Sequence, residues 1–382
     1  LSSDCMRRFC NWSWLASRGL LDRAIENLPD EEDVADRLAD GFGLTRPEIG
    51  VLVSYSKLVL FDDIVASDLP DDPHFETTLA NYFPPRMQKA HGELIAKHQL
   101  RREIIATEIA NEVINRGGPS VISRFEDATG LLPSVISRAH IIIRDGLETE
   151  AVHHAIDALD TRVSGDTQLK LYTELAEGLR QAIGHQLKAA NHEGPIADAV
   201  HTLKSAHKAL PPAILKKVLP PYLAQWSEER KVMFAGNGLV KPAAEALATL
   251  PLYALLPDLI AVSAECKADI VNTAEAFFDV TETFKIGRLE HQAYALDTSD
   301  YFDGLAQQRA LDTIHAARRS LTVSAFDEAT DDPAEAVIRW SKRNHIRIKR
   351  VQDRIAGLTE SGELTASRLT VAAGLLADLA EG

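Results

Sequence analysis

The sequence is poor in cysteine and in aromatic residues. Its 382 residues include three cysteines, Cys5, Cys10 and Cys266, and only 6% aromatic residues. Three cysteines cannot all pair with one another, and the spacing of the first two matches no common metal motif. This usage excludes a disulfide framework and is typical of the reduced thiols of an intracellular protein.

Long apolar runs and an excess of positive charge are also missing. No run reaches the length of a membrane span and no signal peptide is visible, so we expect a cytoplasmic protein without a membrane partner. The net charge is −15, which argues against a general affinity for nucleic acid or anionic lipid. Because the first residue is Leu1 rather than Met, we expect a piece of a longer polypeptide.

Sustained period-two alternation, the pattern of a half-buried strand, is hard to find anywhere in the chain. Apolar residues instead recur at three- and four-residue spacing, between short segments rich in Gly, Pro, Asn and Asp. The sequence therefore predicts an all-α fold, a multi-helix array of roughly a dozen helices with no substantial sheet. We expect three parts: an N-terminal helical arm over 1–42, a helical subdomain over 43–162 and a helical bundle over 163–382.

Two of the predicted helices show the expected amphipathic pattern clearly. Between Arg101 and Arg116 one stripe carries Ile105, Ile109, Val113, Ala106, Ala110 and Ile114, and glycines follow where a left-handed cap favours them. From Asp166 to about Ala190 the predicted buried side holds Leu169, Tyr172, Leu175, Leu179, Ile183 and Leu187. A third helix is predicted over 333–357, and Phe277, Phe278 and Phe284 are expected in the core.

The familiar catalytic motifs are absent. There is no Gly-x-Gly-x-x-Gly turn after a strand, no phosphate loop ending in Lys-Ser/Thr and no nucleophile elbow. We therefore predict no catalytic, cofactor-binding or metal-ligating residue in this chain.

The stretch "GLTRPEIGVLVSYSK" (43–57) places a tyrosine and a lysine close together, as a reductase would. However, Thr45 and Glu48 form a capping box with Pro47 in the first turn, which predicts that a helix begins here. On a helix, Tyr55 and Lys57 lie about 200° apart and cannot act together. We expect this helix to be buried on most sides, with Lys57 partly buried and paired with an acidic group outside the helix.

The run "HTLKSAHKAL" (201–210) partly matches the phosphoacceptor pattern of histidine phosphotransfer domains, in which an imidazole attacks phosphorus. His201 and Lys204 match that pattern, but Ser205 replaces its glycine. Pro211 and Pro212 then end the helix early. A solvated basic helix face is the alternative interpretation, and we expect it to be the correct one.

Two further clusters are weak. His153 and Asp157 stand four residues apart on a helix, but two ligands do not hold a structural metal. The run "SKRNHIRIKR" (341–350) is basic, yet no groove-entering motif or aromatic platform accompanies it. We expect it to be solvated or paired with acidic neighbours, and we predict no nucleic-acid partner.

Taken together, several motifs resemble the C-terminal part of the large bacterial NAD-specific glutamate dehydrogenases. They are "GLTRPEIGVLVSYSKLVLFDDIVASDLPDDPHF" (43–75), "YFPPRM" (82–87), "HQLRREIIATEIANEVINRGG" (98–118), "ALDTRVSGDTQLKL" (158–171), "LVKPAAEALATLPLYALLPDLIAVSAE" (239–265) and "LAQQRALDTIHAARRSL" (305–321). The resemblance covers essentially the whole chain and is least clear in its first thirty residues.

The resemblance implies a very long enzyme that oxidatively deaminates L-glutamate to 2-oxoglutarate and ammonium with NAD, by hydride transfer and hydrolysis of an iminium. In that family the catalytic lysine and the dinucleotide turn lie upstream, so no catalytic residue transfers to this sequence and the chain alone is expected to be inactive. The expected partners are the upstream catalytic domain and further copies in a homo-oligomer. The alternative function is a stand-alone helical interaction or histidine phosphotransfer module that uses His201.

Overall fold

The fold is entirely helical in the part of the chain that the computed structural model describes, which is residues 21–22, 24–189, 191–296, 301–326, 333–360 and 364–381. These residues form 20 α-helices and two short 3-10 helices, and no strand. The predicted all-α class is confirmed, whereas the predicted number of roughly a dozen helices is too low. Cys5 and Cys10 lie outside the described residues.

The chain divides into two compact units. The first comprises Leu1–Gly146 and Asn191–His201, and the second comprises Leu147–Ala190 and Thr202–Gly382. Residues within each unit contact one another more than they contact the other unit. The three-part division predicted from the sequence remains a prediction. The helices of the first unit are α1 (Glu31–Ala39), α2 (Arg46–Val65), α3 (Glu76–Asn81), α4 (Pro85–Ala96), α5 (Arg101–Gly117), α6 (Val121–Thr129) and α7 (Pro133–Gly146), with 3-10 turns at Leu69–Asp71 and Pro73–Phe75.

The second unit carries the remaining helices, apart from α10, which begins in the first unit and ends in the second. They are α8 (Glu150–Asp157), α9 (Gly165–Ala189), α10 (Ile196–Ala209), α11 (Pro212–Val218), α12 (Pro221–Gly236), α13 (Lys241–Tyr253), α14 (Leu256–Cys266), α15 (Ile270–Thr283), α16 (Ile286–Tyr294), α17 (Tyr301–Phe326), α18 (Pro333–Arg343), α19 (His345–Glu360) and α20 (Ala366–Ala380).

Helices α2 and α5 pack along each other in the first unit. The stripe predicted on α5 is confirmed, since all six of its apolar residues are buried. Gly118 follows as the C-cap with φ +87°, a positive value that favours glycine, but its ψ of 166° is not that of the predicted left-handed cap. On α2 the burial is narrower than predicted. Leu52, Val59, Leu60 and Ile64 are buried, but Leu58 is 54% exposed, because in this unit α2 packs through one side.

Helix α9 confirms most of its predicted buried side, with Leu175, Leu179, Ile183 and Leu187 in the core. Tyr172 is half-buried. The prediction for Leu169 is wrong, because this side chain is 60% exposed while Leu171 is buried in its place. Two residues on a helix are about 200° apart, so Leu169 faces away from the buried stripe that begins at Leu171.

The six helices from α15 to α20 share one large hydrophobic core in the second unit. Within this core α17 packs along α20. Phe277, Phe278 and Phe284 are each at most 1% exposed, as predicted. Phe277 meets Phe278 edge to face, and Phe284 meets Trp340 in the same way, the geometry that the ring quadrupole favours.

Several helix breaks occur without the residues that usually mark them. Lys267 and Lys285 end or precede helices in the left-handed conformation, each with φ +54°. Asn344 separates α18 from α19, so the single helix predicted over 333–357 is two helices. Its side-chain N–H donates to the Trp340 carbonyl, which also accepts the helical bond from the Asn344 backbone N–H, and such side-chain bonds compete with helix continuation.

No single helix of the described residues is long and apolar enough to cross a membrane. The pair α13 and α14 passes that test jointly, by length and composition, with a bend of 52° between its two members.

Candidate functional site: a buried ionisable cluster

The motif "TRPE" starts helix α2. The Thr45 backbone N–H donates to Glu48 Oε2 at 2.6 Å, and Arg37 Nη1 lies 3.0 Å from Glu48 Oε1. Partial burial raises the pKa of Glu48, but these donors outweigh it and the pKa is lowered. The capping box predicted from the sequence is confirmed, and the motif is a structural joint.

Tyr55 and Lys57 do not form a catalytic pair. The Tyr55 hydroxyl donates to Glu26 Oε1 at 2.5 Å, outside helix α2. Lys57 is partly buried as predicted, but within the described residues it makes no ion pair, so its predicted acidic partner is wrong. Because a lysine stem is long and flexible, its apolar part can lie along the helix while the ammonium reaches water.

The motif "RREIIAT", at the start of α5, contacts the C-terminal end of α2. Arg102 Nη2 donates to the carbonyls of Val65 and Ser67, both at 2.8 Å, and Arg102 Nη1 pairs with Asp71. The last carbonyls of a helix lack intrahelical donors, and a guanidinium satisfies them while it complements the helix dipole. Both family motifs therefore fix the ends of one helix.

The predicted phosphotransfer residues lie on α10, which ends at Ala209 as expected. His201 is exposed, but Lys204 Nζ lies 3.4 Å from Glu148 Oε1. On the same helix, His207 packs edge-on against Tyr253, with ring centroids 4.3 Å apart. Lys204 and His207 thus serve internal contacts of the second unit, while His201 and Lys208 are exposed.

His153 and Asp157 both contact Tyr172. The His153 ring stacks on the tyrosine ring with centroids 6.4 Å apart, and the Tyr172 hydroxyl donates to Asp157 Oδ1. In the ranges that the structure describes, no three His, Cys, Asp or Glu side chains are grouped as a metal site would require. The basic run 341–350 is solvated, because Lys342, Arg347, Lys349 and Arg350 are exposed.

The densest group of ionisable side chains lies inside the second unit and was not predicted. Asp258, in the first turn of α14, is fully buried. His185 Nδ1, on α9, lies 2.9 Å from Asp258 Oδ2, and Arg319 Nη1, on α17, donates to Asp258 Oδ1 at 2.7 Å. Burial alone would raise the pKa of Asp258, but His185 and Arg319 hold it well below its usual range.

A second carboxylate adjoins this group. Glu290 Oε1, on α16, lies 3.0 Å from His315 Nε2 and 3.2 Å from Arg318 Nη1, both on α17. The Arg318 guanidinium lies over the Phe277 ring at 4.6 Å, a cation–π contact. Burial raises the pKa of Glu290, but Arg318 and His315 outweigh it and lower the pKa.

The two groups form one cluster, because the His185 and His315 rings lie 4.5 Å apart. The cluster contains two carboxylates and two guanidinium groups, whose charges balance. Burial, reinforced by the neighbouring His185, lowers the pKa of His315 despite the attraction of Glu290. The cluster therefore joins α9, α14, α16 and α17 by charge-assisted contacts, and its burial makes it a structural joint rather than a site of turnover.

Sequence reasoning missed this cluster because its members are far apart along the chain. An acidic residue in a first helical turn, such as Asp258, is favoured by the helix dipole alone, so nothing local marks it as a member of a buried cluster. One signal was available. Asp258 and "HAARR" (315–319) stand in two of the motif stretches that carry the family resemblance, 239–265 and 305–321, on helices otherwise rich in apolar residues.

Comparison with known proteins decides the family. Residues 41–378 match the family model described as "Glutamate dehydrogenase, C-terminal". This chain belongs to that family. It is 30% identical over 371 residues to the NAD-specific glutamate dehydrogenase of Pseudomonas aeruginosa, a match that covers 96% of this chain and 23% of that protein.

Two other glutamate dehydrogenases give the same result. The identity is 29% over 380 residues to the NAD-specific enzyme of Halomonas elongata, covering 98% of this chain and 23% of that protein. It is 26% over 370 residues to the one of Mycobacterium tuberculosis, covering 94% and 22%. The chain thus spans about a quarter of the length of the curated relatives it matches, and the resemblance inferred from its motifs is confirmed.

Proposed function

We propose that this chain is the non-catalytic C-terminal region of an NAD-specific glutamate dehydrogenase whose full polypeptide oxidatively deaminates L-glutamate to 2-oxoglutarate and ammonium. The match of nearly the whole chain to about a quarter of such enzymes carries the proposal. A cytoplasmic location belongs to the same proposal. No observation on the described residues favours the phosphotransfer alternative at His201.

The residues present do not fit a dinucleotide site. NAD usually binds at the carboxyl edge of a parallel sheet, with its pyrophosphate at a glycine-rich turn that follows the first strand. The described residues form helices and connecting turns without a strand. We therefore assign the NAD site and the catalytic residues of the parent enzyme to the rest of its polypeptide.

The role proposed for this region is packing on the catalytic part of the parent enzyme and assembly of its oligomer. The motif residues support this role, because Glu48, Arg102 and Asp258 hold helices to one another. A rigid helical scaffold with structural joints is suited to present fixed surfaces to a neighbouring domain.

Two measurements test the proposal. Sequencing the gene on the 5′ side should reveal a reading frame that continues into Leu1 and encodes a dinucleotide-binding turn, and a start codon immediately before Leu1 would contradict it. The purified 382-residue chain should be folded by circular dichroism yet form no NADH from glutamate and NAD, whereas the full polypeptide should do so. Turnover by the chain alone would show that the active site is assigned wrongly.

A further inference from the structure

A strongly basic surface lies on the C-terminal helices of this acidic chain. Residues 342–354 contain six lysines and arginines against one carboxylate, Asp353. The basic surface is defined by five exposed cations and one exposed apolar residue, namely Lys342, Arg347, Lys349, Arg350, Arg354 and Ile346.

These cations are not neutralised within the described part of the chain. None of the five makes an ion pair there, and the nearest contact is a 3.4 Å hydrogen bond from Arg347 Nη2 to the Asp378 carbonyl. Like charges at three- and four-residue spacing, as for Arg350 and Arg354, repel one another. The surface therefore has an unmet preference for negative charge.

The face of α19 that carries these cations also carries an apolar anchor. Ile348, Val351 and Ile355 form the buried stripe of the helix. Ile346 and Arg350 lie on the opposite side, and Ile346 is 66% exposed. An apolar side chain surrounded by charges is the arrangement of a small protein interface, where a desolvated centre is enclosed by a polar rim.

A complementary segment exists at the other end of the sequence. Residues 30–40, on and around α1, contain six carboxylates against one arginine, Arg37. The acidic segment is defined by five exposed carboxylates, namely Asp30, Glu32, Asp33, Asp36 and Asp40. Glu32, Asp36 and Asp40 follow one another at four-residue spacing and so share one side of the segment, and the five make no ion pair within the described ranges.

We propose that the basic surface binds the acidic segment of a second copy of this chain. The net charges of the two segments are equal and opposite when His345 is neutral, so each segment neutralises the other. This inference rests on the assembly role proposed above and assigns the residues through which copies meet. Charge complementarity would guide the copies together and fix their register, with Ile346 at the centre of the contact.

A protein partner fits this surface better than a polyanion. Nucleic acid or an anionic bilayer would attract the five cations, but it would also meet the remaining charges of a chain whose net charge is −15. A second copy presents its carboxylates in one short segment. Each copy carries one acidic segment and one basic surface, so every basic surface has an acidic segment available to it.

The test is the self-association of the 382-residue chain, measured by sedimentation velocity over a range of concentrations. We expect association at about 50 mM salt and roughly tenfold weaker association at about 500 mM, since exposed charge pairs are screened. The double substitution Lys349→Glu with Arg350→Glu should abolish association at low salt. Adding Glu32→Lys and Asp36→Lys to the same chain should restore part of it, because the substituted positions then exchange signs and can pair with one another, while each segment keeps its original sign of net charge.

A matched control separates the contact from the overall charge. Lys89→Glu with Lys97→Glu changes the net charge equally at two exposed positions of the first unit and should leave association unchanged. Circular dichroism should show the same helix content in every variant. Loss of association in this control, failure of the four-substitution chain to recover, or a monomer at all concentrations would overturn the proposal.

The competing partners are outcomes of the same experiment. Binding of the monomeric chain to duplex DNA or to phosphatidylserine vesicles, abolished by Lys349→Glu with Arg350→Glu, would assign the basic surface to a polyanion and overturn the proposed contact. None of these results involves NAD or glutamate. Failure here therefore leaves the proposed place in a glutamate dehydrogenase intact, and absence of an upstream catalytic region would leave the contact intact.

Discussion

Asp258 is the residue on which the buried cluster depends most. Its carboxylate is 0% exposed and accepts a hydrogen bond from Arg319 while it lies against His185. Asp258→Asn keeps the shape but leaves the guanidinium without its counter-ion. We expect the free energy of unfolding to fall by about 3–5 kcal/mol, the usual effect of breaking a buried pair. Urea unfolding followed by circular dichroism measures it.

The control for this substitution is Glu265→Gln, at an exposed position near the end of the same helix. It also removes one carboxylate, and surface changes of this kind are usually within about 0.5 kcal/mol. An equal effect of both substitutions would mean that net charge, rather than the buried contact, determines the stability.

His315 should make the stability depend on pH. Its pKa in the folded chain is lowered by burial, so below about pH 6.5, the usual value for histidine, the unfolded chain binds a proton more readily. The contribution of the neutral imidazole is complete above that pH and is lost as the pH falls towards the folded pKa. The free energy of unfolding should therefore decrease from pH 7 to pH 5.

The pH effect is checked by urea midpoints across that range for the natural chain and for His315→Gln. The substituted chain should be less stable at neutral pH but less sensitive between pH 7 and pH 5. Asp258 and Glu290, whose pKa values are also lowered, act at more acidic pH, where their own contributions are lost. An unchanged slope in His315→Gln would assign the pH dependence to other groups.

Among the helices, the crossing of α9 and α13 depends on a glycine. A Cβ atom at Gly178 would lie 2.6 Å from Leu250 Cδ2 and 2.8 Å from Leu250 Cγ. Gly178→Ala should therefore cost about 1–3 kcal/mol by overpacking. Gly374→Ala is the matched substitution, since nothing lies within 4 Å of its Cβ position, and it should stabilise helix α20 by up to about 1 kcal/mol.

Thermal and urea unfolding of both glycine variants test this contrast. The opposite signs follow from packing alone, because both residues lie inside helices and gain the same propensity. If Gly178→Ala were also stabilising, the two helices would not approach each other as closely as the structure describes.

Features that depend on residues close together in the sequence were predicted correctly, whereas features that depend on packing between distant helices were not. The α5 stripe and the Thr45–Glu48 capping box were predicted correctly, since both arise within a few residues. The breaks at Lys267 and Lys285 were not predicted, because both lysines adopt a positive φ that is uncommon for residues other than glycine. The break at Asn344 was also not predicted. The buried cluster was missed because His185, Asp258 and Glu290 meet only when their helices pack.

For the chain as a whole, net charge should govern solubility. At pH 7 the charge of −15 makes copies repel one another, and this repulsion vanishes near the isoelectric point of about 5.3. The basic surface keeps its charge at that pH, so attraction to the remaining carboxylates is then unopposed. We expect a solubility minimum near pH 5.3 that Lys349→Glu with Arg350→Glu shifts to lower pH.

Turbidity between pH 4 and pH 8, with circular dichroism of the soluble fraction, tests this expectation. Association of folded chains predicts that precipitation begins while the helical signal of the soluble fraction is intact, and that it reverses on return to pH 8. Acid unfolding of the cluster predicts the reverse order, with helix content lost first. Precipitation that increases steadily below pH 5.3, without recovery as the chain becomes positively charged, would show that unfolding rather than loss of repulsion limits solubility.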